Sequence, residues 1–588
     1  MPPGPTASPV TRHAPGRRPV STGLLVRWSC AIAASLWTIA AASAAEGLTP
    51  LPPPPAPPPT APTAAEPARP EPLPSFEQLQ AAGAVIGDIR IVTEDVFDLT
   101  DPRESGALYR GANALHLQTR ASTVRRALLF ARGEPVSASV IRETERLLRS
   151  ERYLYDARIV PVAVRDNVVD IEVRTRDTWS LFPTISVSRS GGKNKSEFAL
   201  SELNLAGTGS RLKLGTFKDV DRNGQRIEFS NDNAFGRRVA LALALSDNSD
   251  GSQQAFALQR PFYALDAHWA AGISASDEDK IEPVYNAGDL AAEYRRRTRL
   301  AEVFGGISQG RINGWVRRTS LGLSLREEQY ALAAGRTPPA RLPADETLIG
   351  PYLRWDLIED RYVELQNRNQ MGRSEFFALG LAATLQVGWA AESLGSTRDT
   401  LLYELALSRG FEPTPAQTLV ATLLLDGQYA NGAVRQQQIG LRSQYFVPHA
   451  RRFTFYAALS ADVLTHPDAD DDVLYLGGDV GLRGYPLRFQ SGTRRTLLTL
   501  EERLYTGAFP WRLIRIGAAV FLDVGRAWGG PNVNRVTDGW LSNVGLGLRL
   551  FSVRTADSNV VHIDVARPLV RGPGVDGVQV LLSGKSRF

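Results

Sequence analysis

The feature that most constrains this chain is a period-two alternation of side chains that runs through most of residues 180–588. In Ile514–Gly525, apolar residues occupy the even positions, while the odd positions hold Arg515, Gly517, Ala519, Phe521, Asp523 and Gly525. The same alternation recurs in Phe453–Val463 and Asn543–Leu550. Because successive side chains of a β-strand point to opposite faces, this part of the chain is predicted to be antiparallel sheet with one apolar face.

An apolar face of this kind suits either the core of a soluble sandwich or strands that cross a membrane. No uninterrupted apolar run after residue 45 approaches the roughly 18 residues of a spanning helix, so a helical membrane protein is excluded. An export leader, the lack of cysteine after it and the aromatic last residue of the closing strand, Phe588, favour a transmembrane β-barrel. We expect about 16 strands, because each would then have about 25 residues with its connection.

Residues 1–45 have the pattern of a secretory signal peptide. They contain four arginines and no acidic residue, and the apolar stretch Cys30–Ala42 runs into Ala42-Ser43-Ala44. The chain carries a net charge of +5, and removal of the leader would leave +1 and no cysteine. A nearly neutral chain lacks the basic footprint of a nucleic-acid-binding protein, so we expect no nucleic-acid partner. The single cysteine also excludes a disulfide framework.

Residues 46–83 are predicted to be a proline-rich linker. Between Pro50 and Pro74, 13 of 25 residues are proline. Such a segment favours extended polyproline II and would span roughly 80 Å at ~3.1 Å per residue. A stiff spacer is the simpler interpretation, and the alternative is that the linker contacts the cell wall or a periplasmic partner.

Residues 84–177 are predicted to form a small domain of order β-α-α-β-β. The pattern indicates a strand at Ile86–Val92, a helix around Thr123–Phe130 and a second helix from Ser137, with a long polar connection at 93–120. Two alternating strands follow, at Tyr155–Val164 and Asn167–Arg176.

This domain resembles a POTRA domain, the periplasmic polypeptide-transport-associated module. The resemblance lies in Gly133-Glu134-Pro135-Val136, in Leu147-Leu148-Arg149 and in Thr175-Arg176-Asp177-Thr178-Trp179. It implies an exposed sheet edge to which an unfolded client polypeptide adds as a strand. The alternative is a folded spacer with no client.

Four segments of residues 180–588 resemble signatures of the superfamily of BamA, TamA and the two-partner secretion transporters, the bacterial surface antigen family. In chain order they are Glu202–Gly209, Gly481–Tyr485, Glu501–Arg503 and Phe521–Gly525. The resemblance implies an outer-membrane barrel whose sixth outer loop folds into the lumen, where its arginine meets an acidic residue of the inner wall. Carried over, the loop residues are Gly481, Leu482, Arg483, Gly484 and Tyr485, and the inner-wall partners are Phe521, Asp523, Gly525, Glu501 and Arg503.

Other motifs do not indicate chemistry. Gly306–Gly310 matches the G-x-S-x-G pattern of hydrolases but lies in an alternating strand region instead of a strand-to-helix turn. Asp219–Gly224 imitates the start of a calcium loop, yet its twelfth position is Ser230, so a polar hairpin turn is predicted. We therefore expect no catalytic residues, no metal site and no cofactor.

The sequence thus predicts a protein of the bacterial outer membrane, with lipid around the barrel and the POTRA-like domain in the periplasm. The expected function is insertion or translocation of polypeptides. Two alternatives stay open: a two-partner-secretion-type transporter for one dedicated client, and a passive channel or structural anchor.

Overall fold

The computed structural model describes residues 73–585, except for residues 191, 237, 287, 468–472, 530–538, 554–559, 573 and 576. The predicted signal peptide, most of the proline-rich linker and the closing residue Phe588 lie outside the described residues. Within the described ranges, none of the helices is long and apolar enough to cross a membrane.

The described residues form four α-helices and 27 β-strands. The helices are α1 (Phe76–Ala81), α2 (Ala107–Leu115), α3 (Ala121–Ala127) and α4 (Ala138–Ser150). The strands up to the middle of the chain are β1 (Val85–Glu94), β2 (Leu154–Arg165), β3 (Val168–Asp177), β4 (Leu181–Ser190), β5 (Lys193–Leu205), β6 (Ser210–Lys218), β7 (Asn223–Ala234), β8 (Val239–Asn248), β9 (Gly251–Arg260), β10 (Trp269–Asn286), β11 (Asp289–Ile312), β12 (Trp315–Leu332) and β13 (Glu346–Glu359). The remaining strands are β14 (Tyr362–Gln366), β15 (Ser374–Ala378), β16 (Ala382–Ala390), β17 (Thr400–Phe411), β18 (Thr418–Ala430), β19 (Ala433–Ala450), β20 (Phe453–Thr465), β21 (Leu474–Leu476), β22 (Gln490–Gly492), β23 (Arg494–Tyr505), β24 (Ile514–Trp528), β25 (Leu541–Ser552), β26 (Val560–Pro568) and β27 (Gln579–Lys585).

The small domain, residues Phe76–Asp177, is a three-stranded sheet in the order β1-β3-β2, with helices α1, α3 and α4 contributing to its core. Helix α1 lies within the range assigned to the linker, and its Leu79 is buried in the core of the domain. Helix α2 lies within the long polar connection, where no element was predicted. The packed domain therefore begins before residue 84 and contains two more helices than the predicted order.

Helix α4 supplies the largest share of the helical side of this core. Ser137 caps its first turn by accepting a hydrogen bond from the amide of Val140, which satisfies one of the free N–H groups of a helix start. Ile141 and Leu148 are buried on the sheet. Thr144 interrupts this apolar face, and its hydroxyl donates to the Val140 carbonyl at 2.8 Å. The hydroxyl group can be buried because it keeps a hydrogen-bond partner within the helix.

Twenty strands close into one antiparallel barrel, β4–β13, β16–β20 and β23–β27, and the expected number of about 16 is therefore wrong. The estimate assumed long outer connections, whereas several are turns of two residues. At Asn313-Gly314 and Asn431-Gly432 both residues have positive φ, the conformation that Asn-Gly adopts readily in tight hairpins. Short turns leave enough chain for four more strands.

The barrel has a domain end, where β4 leaves the small domain, and an opposite end. Because neighbouring strands are antiparallel, every second connection returns to the domain end. Among the described residues, five of these connections contact the small domain: β5–β6, β7–β8, β9–β10, β13–β16 and β23–β24. The domain thus lies across the mouth of the barrel at this end.

A buried carboxylate lies at the joint between the two parts. Asp177, the last residue of β3, accepts the Thr119 amide at 2.7 Å, and the Thr119 hydroxyl accepts a hydrogen bond from Asn204 of β5. His116 lies 3.6 Å from both Asp177 and Asp95. Burial raises the pKa of Asp177 to about 6 and outweighs the lowering by Thr119 and His116; Asp95 raises the pKa further.

This joint predicts a pH dependence. The pKa of Asp177 is higher in the folded protein than in the unfolded chain, so its protonated form stabilises the fold. This stabilisation is fully present below the unfolded value of 3.8 and is lost as pH rises through about 6. We expect the unfolding temperature of the small domain to fall between about pH 4 and pH 7, and Asp177→Asn to flatten that slope. Calorimetry of the full chain in detergent measures it, with the exposed Asp88→Asn as control. An unchanged slope in Asp177→Asn would contradict the assignment.

Candidate functional site in the barrel lumen

The connection between β20 and β23 turns inward from the opposite end of the barrel. Its strands β21 and β22 pair with each other, and it packs Leu482, Tyr485 and Phe489 against the inner wall. Gly481–Tyr485 lie in this connection, which we name the lumen loop (473–493). Counted from β4, it is the eighth connection at its end and not the sixth, because the four additional strands all precede it.

Arg483 of the lumen loop is the centre of the site and is almost fully buried. Its Nε and Nη2 each donate to Asp523 of β24 at 2.8 Å, a bidentate pair. Its Nη1 donates to Glu501 of β23 at 3.0 Å and to Asp564 of β26 at 3.3 Å. The guanidinium also lies 3.3 Å from the centre of the Phe521 ring. One arginine therefore joins the loop to three wall strands.

The backbone on both sides of Arg483 approaches the wall closely. Gly484 donates its amide to the Asn543 side chain at 3.0 Å, and a Cβ at this position would lie 2.6 Å from the Cβ of Asn543. Gly481 has φ +105°, which disfavours other residues. A Cβ on Gly525 would lie 3.1 Å from Leu476 of the loop. These three glycines make room for the guanidinium to reach Asp523.

The cluster is built from paired carboxylates and arginines. Three carboxylates are matched by three arginines, which are buried with them. The acids are Asp523, Glu501 and Asp564, and the arginines are Arg483, Arg503 and Arg549. Buried charges are tolerated when they are paired and hydrogen-bonded, so the wall strands and the loop stabilise each other's charges.

A second arginine, which the motifs did not indicate, fixes the other side of the lumen loop. Arg488 is fully buried and donates from Nη2 to Asp221 at 2.7 Å, in the β6–β7 connection. Its guanidinium lies 4.0 Å from the Tyr285 ring, whose hydroxyl also donates to Asp221. Asp221 belongs to the segment that imitates a calcium loop. Its repeated aspartates were a visible signal, but their partner is 267 residues away.

From the domain end, a second segment enters the barrel: the plug hairpin (360–381), which carries β14 and β15. Its Phe377 and Leu379 pack on Leu419 and Phe446 of the wall. Its Met371 packs in a different cluster with Phe551. The hairpin therefore reaches across the mouth from β18 to β25.

The tip of the plug hairpin is organised by Glu375. Its carboxylate accepts the amides of Arg368, Asn369 and Gln370 at 3.0–3.2 Å. Burial raises the pKa of Glu375 to about 7, against the lowering by these amides. The carbonyl of Arg368 accepts a hydrogen bond from Arg503 at 3.0 Å.

Arg503 consequently joins the two inward segments. It donates to Glu501 at 2.9 Å, and Glu501 accepts from Arg483 of the lumen loop. On the other side, Arg373 of the plug hairpin donates to the Leu154 carbonyl of the small domain at 3.1 Å. Contacts therefore run from the small domain through the plug hairpin to the lumen loop.

This arrangement can position chain segments. Gly306–Gly310 lie inside β11, in ladder pairing with its neighbours over most of their length. Among the described residues, no group of three or more His, Cys, Asp and Glu side chains could hold a metal ion.

The cluster predicts an unequal cost for two arginine deletions. Arg483→Ala leaves three buried carboxylates short of one partner and should cost about 3–5 kcal/mol of unfolding free energy. Arg295→Ala removes a half-exposed pair with Asp279 and should cost about 0–1 kcal/mol. Urea unfolding of both variants in detergent measures the difference, and equal costs would contradict the central role of Arg483.

Comparisons with known proteins show limited similarity. No family model and no curated protein matches the chain. The structure is similar to CdiB from Acinetobacter baumannii, at 13% identity and a TM-score of 0.42, covering 85% of this chain and 73% of that one. CdiB from Escherichia coli is similar at 12% identity and a TM-score of 0.45, and the match covers 84% of this chain and 75% of that one. BamA from Haemophilus ducreyi lacking POTRA domains 1–3 is similar at 12% identity and a TM-score of 0.37, and the match covers 85% of this chain and 84% of that one.

Proposed function

We propose that this chain is a bacterial outer-membrane β-barrel that takes part in the insertion or translocation of polypeptides, with the small domain in the periplasm. The observation that carries the proposal is the lumen loop, which Arg483 holds inside a closed barrel whose mouth the small domain covers. A barrel filled from both ends by inward-folded segments suits controlled passage of a chain better than a permanent pore.

The outward face of the barrel supports a membrane location. Val520 of β24, Leu546 of β25 and Val565 of β26 lie side by side in the ladder, and the first two are 56% and 63% exposed. Across the barrel, the exposed large apolar residues include Leu243, Ile273, Val303 and Leu323. A contiguous apolar surface of this extent around a closed sheet requires a cover, and lipid is the cover that fits a ring.

Both borders of this apolar belt carry exposed tryptophans. Trp269 and Trp511 lie at the domain end, and Trp389 and Trp540 at the opposite end. Tryptophan favours the boundary between hydrocarbon and headgroups, and two such girdles are typical of outer-membrane barrels.

The belt predicts that an introduced charge lowers the free energy of unfolding most where it lies deepest in the apolar layer. Leu546→Arg, near the middle of β25, should lower the free energy of unfolding in phospholipid vesicles by about 2–4 kcal/mol. Leu290→Arg, at the opposite end of β11 and in register with the inward-facing Ala292 and Tyr294, should lower the unfolding free energy by only about 0–1 kcal/mol because it lies outside the belt. Urea unfolding in vesicles measures both, and equal values would refute the belt.

The proposed client contact is an edge of the small-domain sheet. Strand β2 is an edge, but the Ile159 amide already donates to Glu145 at 2.8 Å, and Pro161 has no N–H. Both features blunt the edge against strand addition. We therefore place the client strand at the remaining stretch, Val162–Arg165.

This blunting is also the observation that favours an alternative in which the protein is a passive channel or structural anchor. The other alternative, a two-partner-secretion-type transporter, shares the lumen geometry and differs in serving one dedicated client. In each case the proline-rich linker would tether the domain to the cell wall or to a periplasmic partner.

The test follows the folding of a urea-unfolded, eight-stranded barrel protein in vesicles that contain this chain. We expect folding to be several-fold faster than in empty vesicles, and a photo-crosslinker at Val162 to capture the substrate. Arg483→Ala should abolish the acceleration, whereas Arg295→Ala should keep it.

The remaining outcomes separate the alternatives. Unchanged folding together with steady conductance in planar bilayers would overturn the proposal in favour of a passive channel. Unchanged folding of the barrel substrate, with crosslinking of a single secreted polypeptide only, would favour the dedicated transporter.

A further inference from the structure

We infer that helix α2 and Trp511 form a lipid-surface anchor, which lies on the membrane leaflet at the domain end and holds the small domain against the bilayer. This inference rests on the proposed membrane location of the barrel. It is independent of the proposed action on polypeptides.

Helix α2 shows one attached side and one apolar side without a partner. Asn113 accepts the Phe97 amide at 3.2 Å and donates to the Phe97 carbonyl at 2.9 Å, and Tyr109 contacts the Phe97 ring. Leu108 and Leu115 are 63% and 78% exposed, and none of the helix residues is buried. Seven residues are about two turns, so these leucines share one side of the helix.

The attached side of α2 is bound to the rim of the barrel. The Tyr109 hydroxyl donates to the Trp511 carbonyl at 2.9 Å. Arg512 donates from Nε to the buried Glu104 at 2.8 Å, just before the helix. Both partners lie in the β23–β24 connection, so α2 has a fixed position beside the wall.

Trp511 lies between the helix and the apolar belt. It is 70% exposed, and its φ of +49° is followed by a φ of +52° at Arg512. Two consecutive non-glycine residues in the left-handed region are unfavourable, and such strain persists where surrounding contacts impose it. Three residues later β24 begins, with Ile514 and Ile516 on its outward side. Trp511 therefore precedes the outward face of β24 in the chain and is bound through its carbonyl to α2, which places the helix beside the belt.

A lipid surface fits this face better than a polypeptide. Leu108 and Leu115 are the large aliphatic residues of the helix, Arg110 on another side is its one charged residue, and tryptophan is at its contact with the rim. An exposed apolar side opposite a more polar one is typical of helices that lie in the headgroup boundary, and tryptophan favours the same boundary. Leu117, just beyond the helix, is also exposed and extends the apolar surface.

The experiment uses the full chain with Cys30→Ser in vesicles of phosphatidylethanolamine and phosphatidylglycerol that contain nitroxide-labelled lipid. A bimane label is placed at Leu108→Cys, at Leu115→Cys or, as control, at Val162→Cys, an exposed apolar position of β2 (44% exposed). We expect at least twofold stronger quenching at the two α2 positions than at the control.

A second variant tests the cause. With the label at Leu117→Cys, the double change Leu108→Glu and Leu115→Glu should reduce quenching to the control level. Unfolding of the barrel should not change, because neither leucine is buried.

Equal quenching at all three positions, in vesicles that carry the barrel on flotation, would overturn the anchor. So would an α2 label that responds to added unfolded polypeptide but not to nitroxide lipid, since that face would then be a polypeptide site. A chain that fails to float with vesicles would instead refute the proposed membrane location.

Discussion

The structure depends on one buried ion pair, between Arg483 of the lumen loop and Asp523 of β24. Inside the lumen the loss of hydration of both groups has to be offset, and the bidentate geometry, the Phe521 ring and the neighbouring acids and arginines offset it together. The glycines around Arg483 follow from this demand, since a side chain at Gly484 would collide with Asn543. The pair thus determines both the course of the loop and the composition of the wall.

The same cluster relates the two inward segments to each other. Arg503 contacts Glu501, the acid that Arg483 shares, and also the Arg368 carbonyl at the tip of the plug hairpin. The hairpin in turn contacts the small domain through Arg373 and Leu154. A displacement of the small domain therefore has a contiguous physical route to the lumen loop, although coupling along it requires that these contacts have two alternative arrangements.

The accuracy of the sequence-based expectations depended on how local the signal was. Asp523 was placed on the inner face by the alternation of β24, and it is fully buried there. The strand number was wrong because turn lengths were averaged, although Asn313-Gly314 and Asn431-Gly432 are strong hairpin signals. Helix α2 was missed because a short helix with no buried residue leaves little periodicity in the sequence.

The sequence alone determined the strand faces, the inward direction of Asp523 and the loop that carries Arg483, because these follow from local alternation and from short motifs. Only the tertiary structure decided the closure at 20 strands, the pairing of Arg488 with Asp221 and the entry of the plug hairpin into the barrel mouth. The physical reason is that an ion pair or a packed cluster depends on separations in space. Closing a barrel brings residues together that are hundreds of positions apart, and no local pattern records that distance.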